Sequence, residues 1–317
     1  MQLPRDILTP DALAMIDAID RFGSFAGAAR ALGQVPSALS YRVRQLEEAL
    51  DVLLFDRTSR QARLTPAGQA LLVEARRILS DLDAVSSRVR RIATGWESQL
   101  TLAIDSVIHQ SVIFDLCQRF DELGAPTRLR FRHETLHGTL AALHQGTADL
   151  AIGVSQETGD LTRVAHQPLG VLAFGFAVAP HHPLAACPEP LTDQDIAQHR
   201  AVAVADTAPL GLEVTVGLLP GQAVLTVDSM ADKIDAQIRG LGVGHLPLPH
   251  IQSALARGQL RLMQTTRNPR RVQLSCAWMS TPRQARGLAL DWWLQQLNQP
   301  VTQAALLGLP HPPGEPT

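Results

Sequence analysis

No residue between Thr65-Pro66 and Gly95 breaks a helix, and the apolar side chains of that stretch recur on one face. Leu71, Ala75, Ile78, Leu82, Val85, Val89 and Ile92 follow at spacings of 4, 3, 4, 3, 4 and 3, a sustained heptad seam. Thr65 reads as an N-cap and Pro66 suits the first helical position. At 1.5 Å per residue such a helix is a rod of roughly 40 Å. Globular helices are seldom so long and regular, and a single apolar stripe needs another surface to cover it. That surface is either the helix's own domain or its twin in a homodimer. The length favours the twin, with Leu71, Ala75, Ile78, Leu82, Val85 and Val89 at the interface.

The rod also partitions the 317 residues, too many for one ordinary domain. The expected parts are an N-terminal domain over 1–65, a linker helix over 66–95, a larger domain over 96–300 and a proline-rich flexible tail over 301–317.

Three short helices stand ahead of the rod. Thr9-Pro10-Asp11 supplies a cap, a first-turn proline and an acid at the positive helix end. Leu13, Ile16, Ile19 and Phe22 then keep helical spacing until Gly23. Ser24 caps an alanine-rich helix stopped by Gly33, and Pro36 starts a third, with Leu39, Val43 and Leu46 facing inward. A tight turn between the second and third helices is the outline of a helix-turn-helix. The outer face of the third carries Ser37, Ser40, Tyr41 and Arg44, suited to base edges. Asp56-Arg57-Thr58-Ser59-Arg60-Gln61 separates two short apolar runs, a hairpin wing whose Arg57 and Arg60 can reach phosphates or a minor groove. The net charge is −2, so affinity for DNA must come from a local surface, and residues 30–63 hold six arginines against four acids. A helical bundle with a solvated charged face is the plainer alternative.

The ordered set Gly23-Ser24-Phe25, Ala28-Ala29, Leu32, Ser40, Arg44-Gln45-Leu46-Glu47, Leu54-Phe55-Asp56-Arg57 and Leu64-Thr65-Pro66-Ala67-Gly68 resembles the LysR-type transcriptional regulators. Ala148-Asp149-Leu150-Ala151-Ile152-Gly153, His182-Pro183-Leu184-Ala185 and Gly240-Leu241-Gly242-Val243-Gly244 are similar to that family's effector domain. Trp96 with Gln99-Leu100, and Leu219-Pro220-Gly221-Gln222, resemble a subgroup containing regulators of allantoin and purine use. The resemblance implies base contacts at Pro36, Ser37, Ser40 and Tyr41, and a wing tip at Arg60. It also implies a homodimer or homotetramer, and a promoter segment bent in the complex. Val35-Pro36-Ser37 departs from the family's usual Ser-Gln-Pro, and Tyr41 stands where arginine is common, which puts the base preference in doubt.

From Leu100 onward strands and helices alternate, implying parallel sheets with helices on both faces. The pattern resembles the two-lobed periplasmic-binding-protein fold, with a small ligand between the lobes. Lobe I is expected over 96–167 and 269–300 and lobe II over 168–268, with crossovers near Gln167-Pro168-Leu169 and Arg267-Asn268-Pro269. Open α/β sheets bind ligands at strand carboxyl ends and helix N-termini, which selects Ser106, Ser155, Thr207, Ser229 and His245 as effector contacts. Each alone reads more readily as a plain cap than as a ligand contact. Asp105, Asp206 and Asp228 at the same places predict a cleft of three carboxylates, favouring a neutral, amine- or amide-bearing effector over a simple anion.

Other chemistries are poorly supported. Cys117, Cys187 and Cys276 form no CxxC and read as reduced, structural thiols. The histidines His133 and His137, His181-His182, and His245 with His250 lack companions at zinc-ligand spacing, so no metal or cofactor is expected. Gly240-Leu241-Gly242-Val243-Gly244 is neither a dinucleotide fingerprint nor a P-loop, and no nucleophile elbow or paired-carboxylate motif points to an enzyme. The first nine residues hold no signal-peptide core, and residues 171–179, the longest apolar run, cannot span a bilayer. Lys233 is the sole lysine.

The expectation is a multidomain cytoplasmic regulator: an all-α winged helix-turn-helix, a linker helix and a two-lobed α/β effector domain. Its partners are promoter DNA, a small-molecule effector, its own copies and, for an activator, RNA polymerase. A stand-alone solute-binding protein and an enzyme with an appended DNA-binding domain are the rivals.

Overall fold

The computed structural model describes residues 4–56, 62–155, 161–162, 164–209, 215–280 and 286–310. The chain forms two compact units, Met1–Arg90 and Arg91–Thr317.

The first unit opens with α1 (Pro4–Ile7), α2 (Pro10–Phe22), α3 (Phe25–Ala31) and α4 (Pro36–Leu50). Thr9 Oγ1 accepts the Ala12 N–H at 3.3 Å and Ser24 Oγ accepts the Gly27 N–H at 3.1 Å, so both helices start where a hydroxyl can take an otherwise unpaired donor. Gly23 ends α2 at φ 63°, a left-handed conformation that glycine adopts without strain. Val35 offers α4 no side-chain cap; Pro36 at the first helical position brings no N–H to satisfy. Leu39, Val43 and Leu46 are buried in one core with Met15, Ile16 and Ile19 of α2. Beyond α4, Phe55 and Leu64 form an antiparallel bridge and Asp56 N–H donates to Arg63 O at 2.8 Å. This is the base of the expected wing. Its tip, with Arg57 and Arg60, lies outside the described residues.

α5 (Pro66–Thr94) is the rod, closed by Gly95 at φ 77°. Thr65 Oγ1 accepts the Gly68 N–H at 3.0 Å and donates to Leu53 O at 2.6 Å. Gly68 is sterically required, since a Cβ there would lie 2.1 Å from Leu54 O. The heptad seam divides in two. Ala75 is fully buried, and Leu71 packs with Leu72 on the helix-turn-helix core. Arg76 pairs with Asp17 at 2.6 Å and Asp20 at 3.0 Å, pinning the same turns to α2. The placement of Ala75 at a partner interface is thereby corrected, since its own domain covers it, whereas Leu71 stays partly exposed. From Ile78 the stripe is bare, and Ile78, Leu82, Val85, Val89 and Ile92 run from 38% to 80% exposed.

In the second unit, lobe I alternates β1 (Gln99–Asp105), α6 (Gln110–Asp121), β2 (Arg128–Glu134), α7 (Gly138–His144) and β3 (Leu150–Ser155). The chain crosses on β4 (Val164–Val178) to a lobe of α8 (Asp193–Ala197), β5 (Ala201–Val204), β6 (Val224–Val227), α9 (Met230–Ile238), β7 (Gly244–Pro247), α10 (Leu248–Ala256) and β8 (Arg261–Met263). It returns on β9 (Arg270–Met279) to α11 (Leu288–Leu297) and α12 (Pro300–Leu306).

One sheet runs β2-β1-β3-β9-β4-β7 with β8 on β4, and β5-β6 form a second pair. The β1–β2, β1–β3 and β5–β6 pairs are parallel, as helical crossovers require. Those made by β4 and β9 are antiparallel, because these strands carry the chain between lobes in opposite directions. The larger sheet is therefore mixed rather than parallel. β4 and β9 pair from Val164↔Met279 to Phe174↔Arg270, with a register shift between Pro168 and Gly170 opposite Ser275 and Leu274. The first expected crossover coincides with this irregularity. The return strand passes it at Leu274 and Ser275, because β9 stays hydrogen-bonded to β4 on both sides; Arg267-Asn268-Pro269 precedes that strand.

The chain end also departs from expectation. α12 is helical, Leu306 and Leu307 are fully buried, and Gln303 Nε2 donates to Pro168 O at 3.1 Å. Burial of two leucines, worth about 1.5–3 kcal/mol each, orders this segment against the irregular part of β4. Residues 311–317 lie outside the described residues.

Candidate functional site

Two surfaces hold the residues singled out by sequence. On α4, Pro36, Ser37, Ser40, Tyr41 and Arg44 are all exposed, opposite the buried Leu39, Val43 and Leu46. Ser40 Oγ donates to Pro36 O at 3.0 Å, and Gln45 Nε2 donates to the Tyr41 hydroxyl oxygen at 3.1 Å. The stripe is polar, and Tyr41 is 61% exposed, an unusual state for a phenol that no core requires. Glu47 performs a role that spacing alone does not reveal. Buried on the inner face of α4, its Oε1 accepts the N–H groups of Leu54 at 2.8 Å and Phe55 at 3.2 Å. One carboxylate thus ties the recognition helix to the first strand of the wing.

The second surface is a cavity of about 80 Å³ between the lobes. Strand ends build its rim: Asp105 closes β1, Ser155 closes β3 and Val204 closes β5. Its floor is Leu172 and Phe174 of β4 with Arg270, Val272 and Leu274 of β9, and α9 contributes Met230 and Lys233. Two of the five expected effector contacts, Ser155 and His245, line it. The other three do structural work beside it. Ser106 Oγ accepts the Met230 N–H at 3.3 Å, joining β1 to the start of α9. Ser229 caps α9 by accepting the Asp232 N–H at 3.1 Å.

Thr207 belongs to a clasp between the lobes. Its Oγ1 accepts the Thr135 N–H at 2.9 Å and donates to Thr135 O at 3.3 Å. Thr135 Oγ1 donates to Ala205 O, and His137 Nδ1 lies 3.0 Å from Asp206 Oδ2. Gly138 makes this approach possible, because a Cβ there would stand 1.8 Å from Thr207 Oγ1.

The expected trio of carboxylates does not assemble. Asp206 is taken by His137 and by the Ala208 N–H at 3.0 Å, and Asp228 is exposed near Asp232 and Arg239. Only Asp105 lines the cavity, with its Oδ1 accepting the Val107 N–H and its Oδ2 the Leu136 N–H, both at 2.9 Å. Burial drives its pKa up to about 7 against these two hydrogen bonds, and the negative charge of Asp206 pushes the same way. The cations were the missed feature. Lys233 is 8% exposed, and burial lowers its pKa to about 8 with help from Arg270. Arg270 lies over the Phe174 ring at 5.6 Å. Burial first, and then Lys233, Arg270 and Arg267, hold His245 down at about 4, so it is neutral at pH 7. The uniqueness of Lys233 in the sequence was the available signal for this arrangement.

A helix-turn-helix with a polar outer stripe, joined by one helix to a two-lobed domain with a cavity between its lobes, is the layout of a one-component regulator. Residues 10–69 match the bacterial regulatory helix-turn-helix of the lysR family, and residues 93–300 match the LysR substrate binding domain. The chain belongs to the LysR family of bacterial transcriptional regulators. YhaJ of Escherichia coli K12, a probable HTH-type transcriptional regulator, is 37% identical over 292 residues, covering 92% of this chain and 96% of its own. The transcriptional activator AllS of Klebsiella pneumoniae is 31% identical over 255 residues, 80% of this chain and 94% of its own. A full-length OxyR variant of Pseudomonas aeruginosa shares the fold with a TM-score of 0.54 at 20% identity, covering 97% of this chain and 99% of that one. The LysR family comprises DNA-binding regulators, not enzymes. Among the described residues no helix is long and apolar enough to cross a membrane.

Proposed function

We propose that this LysR-family protein holds promoter DNA with α4 and the wing, and that a small molecule in the interlobe cavity changes how it holds and bends that DNA. The observation that carries the reading is the sidedness of α4. Leu39, Val43 and Leu46 lock one face into the core, while Pro36, Ser37, Ser40, Tyr41 and Arg44 stand exposed on the other. A rigid helix with hydrogen-bonding groups on its free face suits major-groove readout. Arg57 and Arg60 on the wing add phosphate or minor-groove contacts. The bare part of the α5 seam, from Ile78 to Ile92, supports pairing of two copies, and the family resemblance extends this to a tetramer. Lobe I then comprises residues 96–167 and the stretch after Ser275, lobe II the segment between, and the protein works in the cytoplasm, where promoters are.

Gel-shift binding to the protein's own upstream intergenic DNA, at fixed salt and against unrelated DNA of equal length, tests the reading. Selective shifts that weaken steeply with salt, and that Tyr41→Ala and Arg44→Ala lose without unfolding, are expected. Equal, weak binding to every sequence in a genome-wide selection would sink it.

A further inference from the structure

We infer that the effector is a small organic oxyanion on a compact apolar body, and that Lys233 is the group that binds it. This rests on the reading of the interlobe cavity as the effector site and names the class of molecule that site takes.

Lys233 is one lysine among 28 basic residues. A chain that uses arginine at every other cationic position keeps an ammonium in the cavity wall, buried to 92% by its 8% exposure. Among the described residues it has neither a hydrogen-bond partner nor a carboxylate within ion-pair distance. Burying an uncompensated ammonium is strongly unfavourable, so the position makes physical sense when something else supplies the counter-charge. Asp105, the acid lining the same cavity, has each oxygen engaged by a backbone N–H, and burial raises its pKa to about 7. It is poorly placed to neutralise Lys233. Arg270 adds a second positive group, and His245 is neutral near pH 7. Apart from Ser155 the remaining wall, including Leu172, Phe174, Val204, Val216, Val272 and Leu274, is apolar. A compact, strongly hydrated point charge also distinguishes lysine from arginine. In a confined site it meets one oxyanion without demanding the planar, two-pronged geometry of a guanidinium.

Because Lys233 is the only lysine, the full-length protein labelled with ¹³C-lysine reports on this side chain alone. Its titration would be followed with benzoate, cyclohexanecarboxylate and 4-nitrophenolate, and with benzamide and benzylamine as neutral and cationic counterparts. The carboxylate and phenolate arms separate the two oxyanion sources. At least one anion should raise the pKa of Lys233 above its ligand-free value, while benzamide and benzylamine should not. Lys233→Met should weaken that anion's binding roughly ten- to hundred-fold, with Lys233→Gln as a second variant if the first fails to fold.

The inference is overturned if the amide or amine binds as tightly as the anions and Lys233→Met leaves that binding unchanged. It is equally overturned if no anion in the series moves the lysine signal at millimolar concentration. Promoter binding by the unsubstituted protein, run beside these titrations, keeps the two readings apart. Loss of selective DNA binding removes the regulator, whereas a DNA response to neutral ligands removes only the anion.

Discussion

Replacing Thr207 by valine keeps the β-branch and removes only the hydroxyl, so it isolates the clasp from packing. In the intact protein that oxygen accepts the Thr135 N–H at 2.9 Å and donates to Thr135 O at 3.3 Å. Valine leaves a part-buried N–H without its acceptor, which costs about 1–3 kcal/mol, and the carbonyl, which has a second lone pair, adds less. Local opening around Thr135 should rise roughly five- to hundred-fold, since 1.4 kcal/mol is a factor of ten. Hydrogen exchange measured by mass spectrometry on peptides spanning residues 134–137 reads this directly. Gly138→Ala should act on the same contact more severely, because its Cβ would sit 1.8 Å from Thr207 Oγ1. The double variant should then fall well short of the sum. Unchanged exchange in Thr207→Val would refute the clasp and return Thr207 to the role of a ligand contact.

Three further outcomes follow from the same structure. Glu47→Ala leaves the buried N–H groups of Leu54 and Phe55 without their carboxylate and should destabilise the N-terminal unit by about 2–4 kcal/mol in denaturant melts, with Glu47→Gln retaining most of the stability. Leu82→Glu with Val85→Glu should convert a self-associating protein to monomer in sedimentation, while Ala75 substitutions should act on folding instead. Without ligand, stability should pass through a dip between about pH 7 and 8. Asp105, raised from 3.8 to about 7, stays protonated in the fold where the unfolded chain has already lost its proton, so stability falls as pH climbs through that window. Lys233, lowered from 10.5 to about 8, deprotonates first in the fold, so stability recovers from about pH 8 upward. Lys233→Met should abolish the alkaline recovery in thermal melts, and a flat profile in the unsubstituted protein would contradict both assignments.

The N-terminal unit was legible because its signals are local. Thr9, Ser24 and Thr65 cap the helices they precede, Gly23 and Gly95 stop them, and the spacing of Leu39, Val43 and Leu46 already gives the buried face of α4. What spacing could not show is which half of the α5 seam its own domain covers. Ala75 and Leu82 occupy equivalent heptad positions, and only the packing around Leu72 and Arg76 separates them. In the effector domain, a serine or threonine after a strand looks the same in sequence whether it meets a ligand, caps a helix or bridges two lobes. Ser155 lines the interlobe cavity, Ser229 caps α9 and Thr207 bridges the lobes. The carboxylate trio failed because equivalent places need not share a role: the charge of Asp206 reaches Asp105, but its oxygens are engaged by His137 and the Ala208 N–H, while Asp228, after the neighbouring strand, is exposed. α12 is hidden by the prolines around it, since its order comes from leucines docking on an irregularity of β4 rather than from helical propensity.

The cavity draws its walls from both sides of the hinge. Asp105 and Ser155 belong to lobe I, Val204 and Lys233 to lobe II, and Leu172, Phe174, Val272 and Leu274 to the two strands that join them. A ligand touching all three groups gains more contacts when the lobes are closed than when they are open, and that difference is the only source from which it can shift their equilibrium. The clasp of Thr135 and Thr207 already favours closure without ligand, whereas an uncompensated Lys233 opposes it by keeping a charge away from water. An anion removes that opposition at Lys233, a buried cation that has no partner among the described residues. The lobe equilibrium would therefore respond most steeply to the charge of the effector, and only secondarily to the shape of its apolar body.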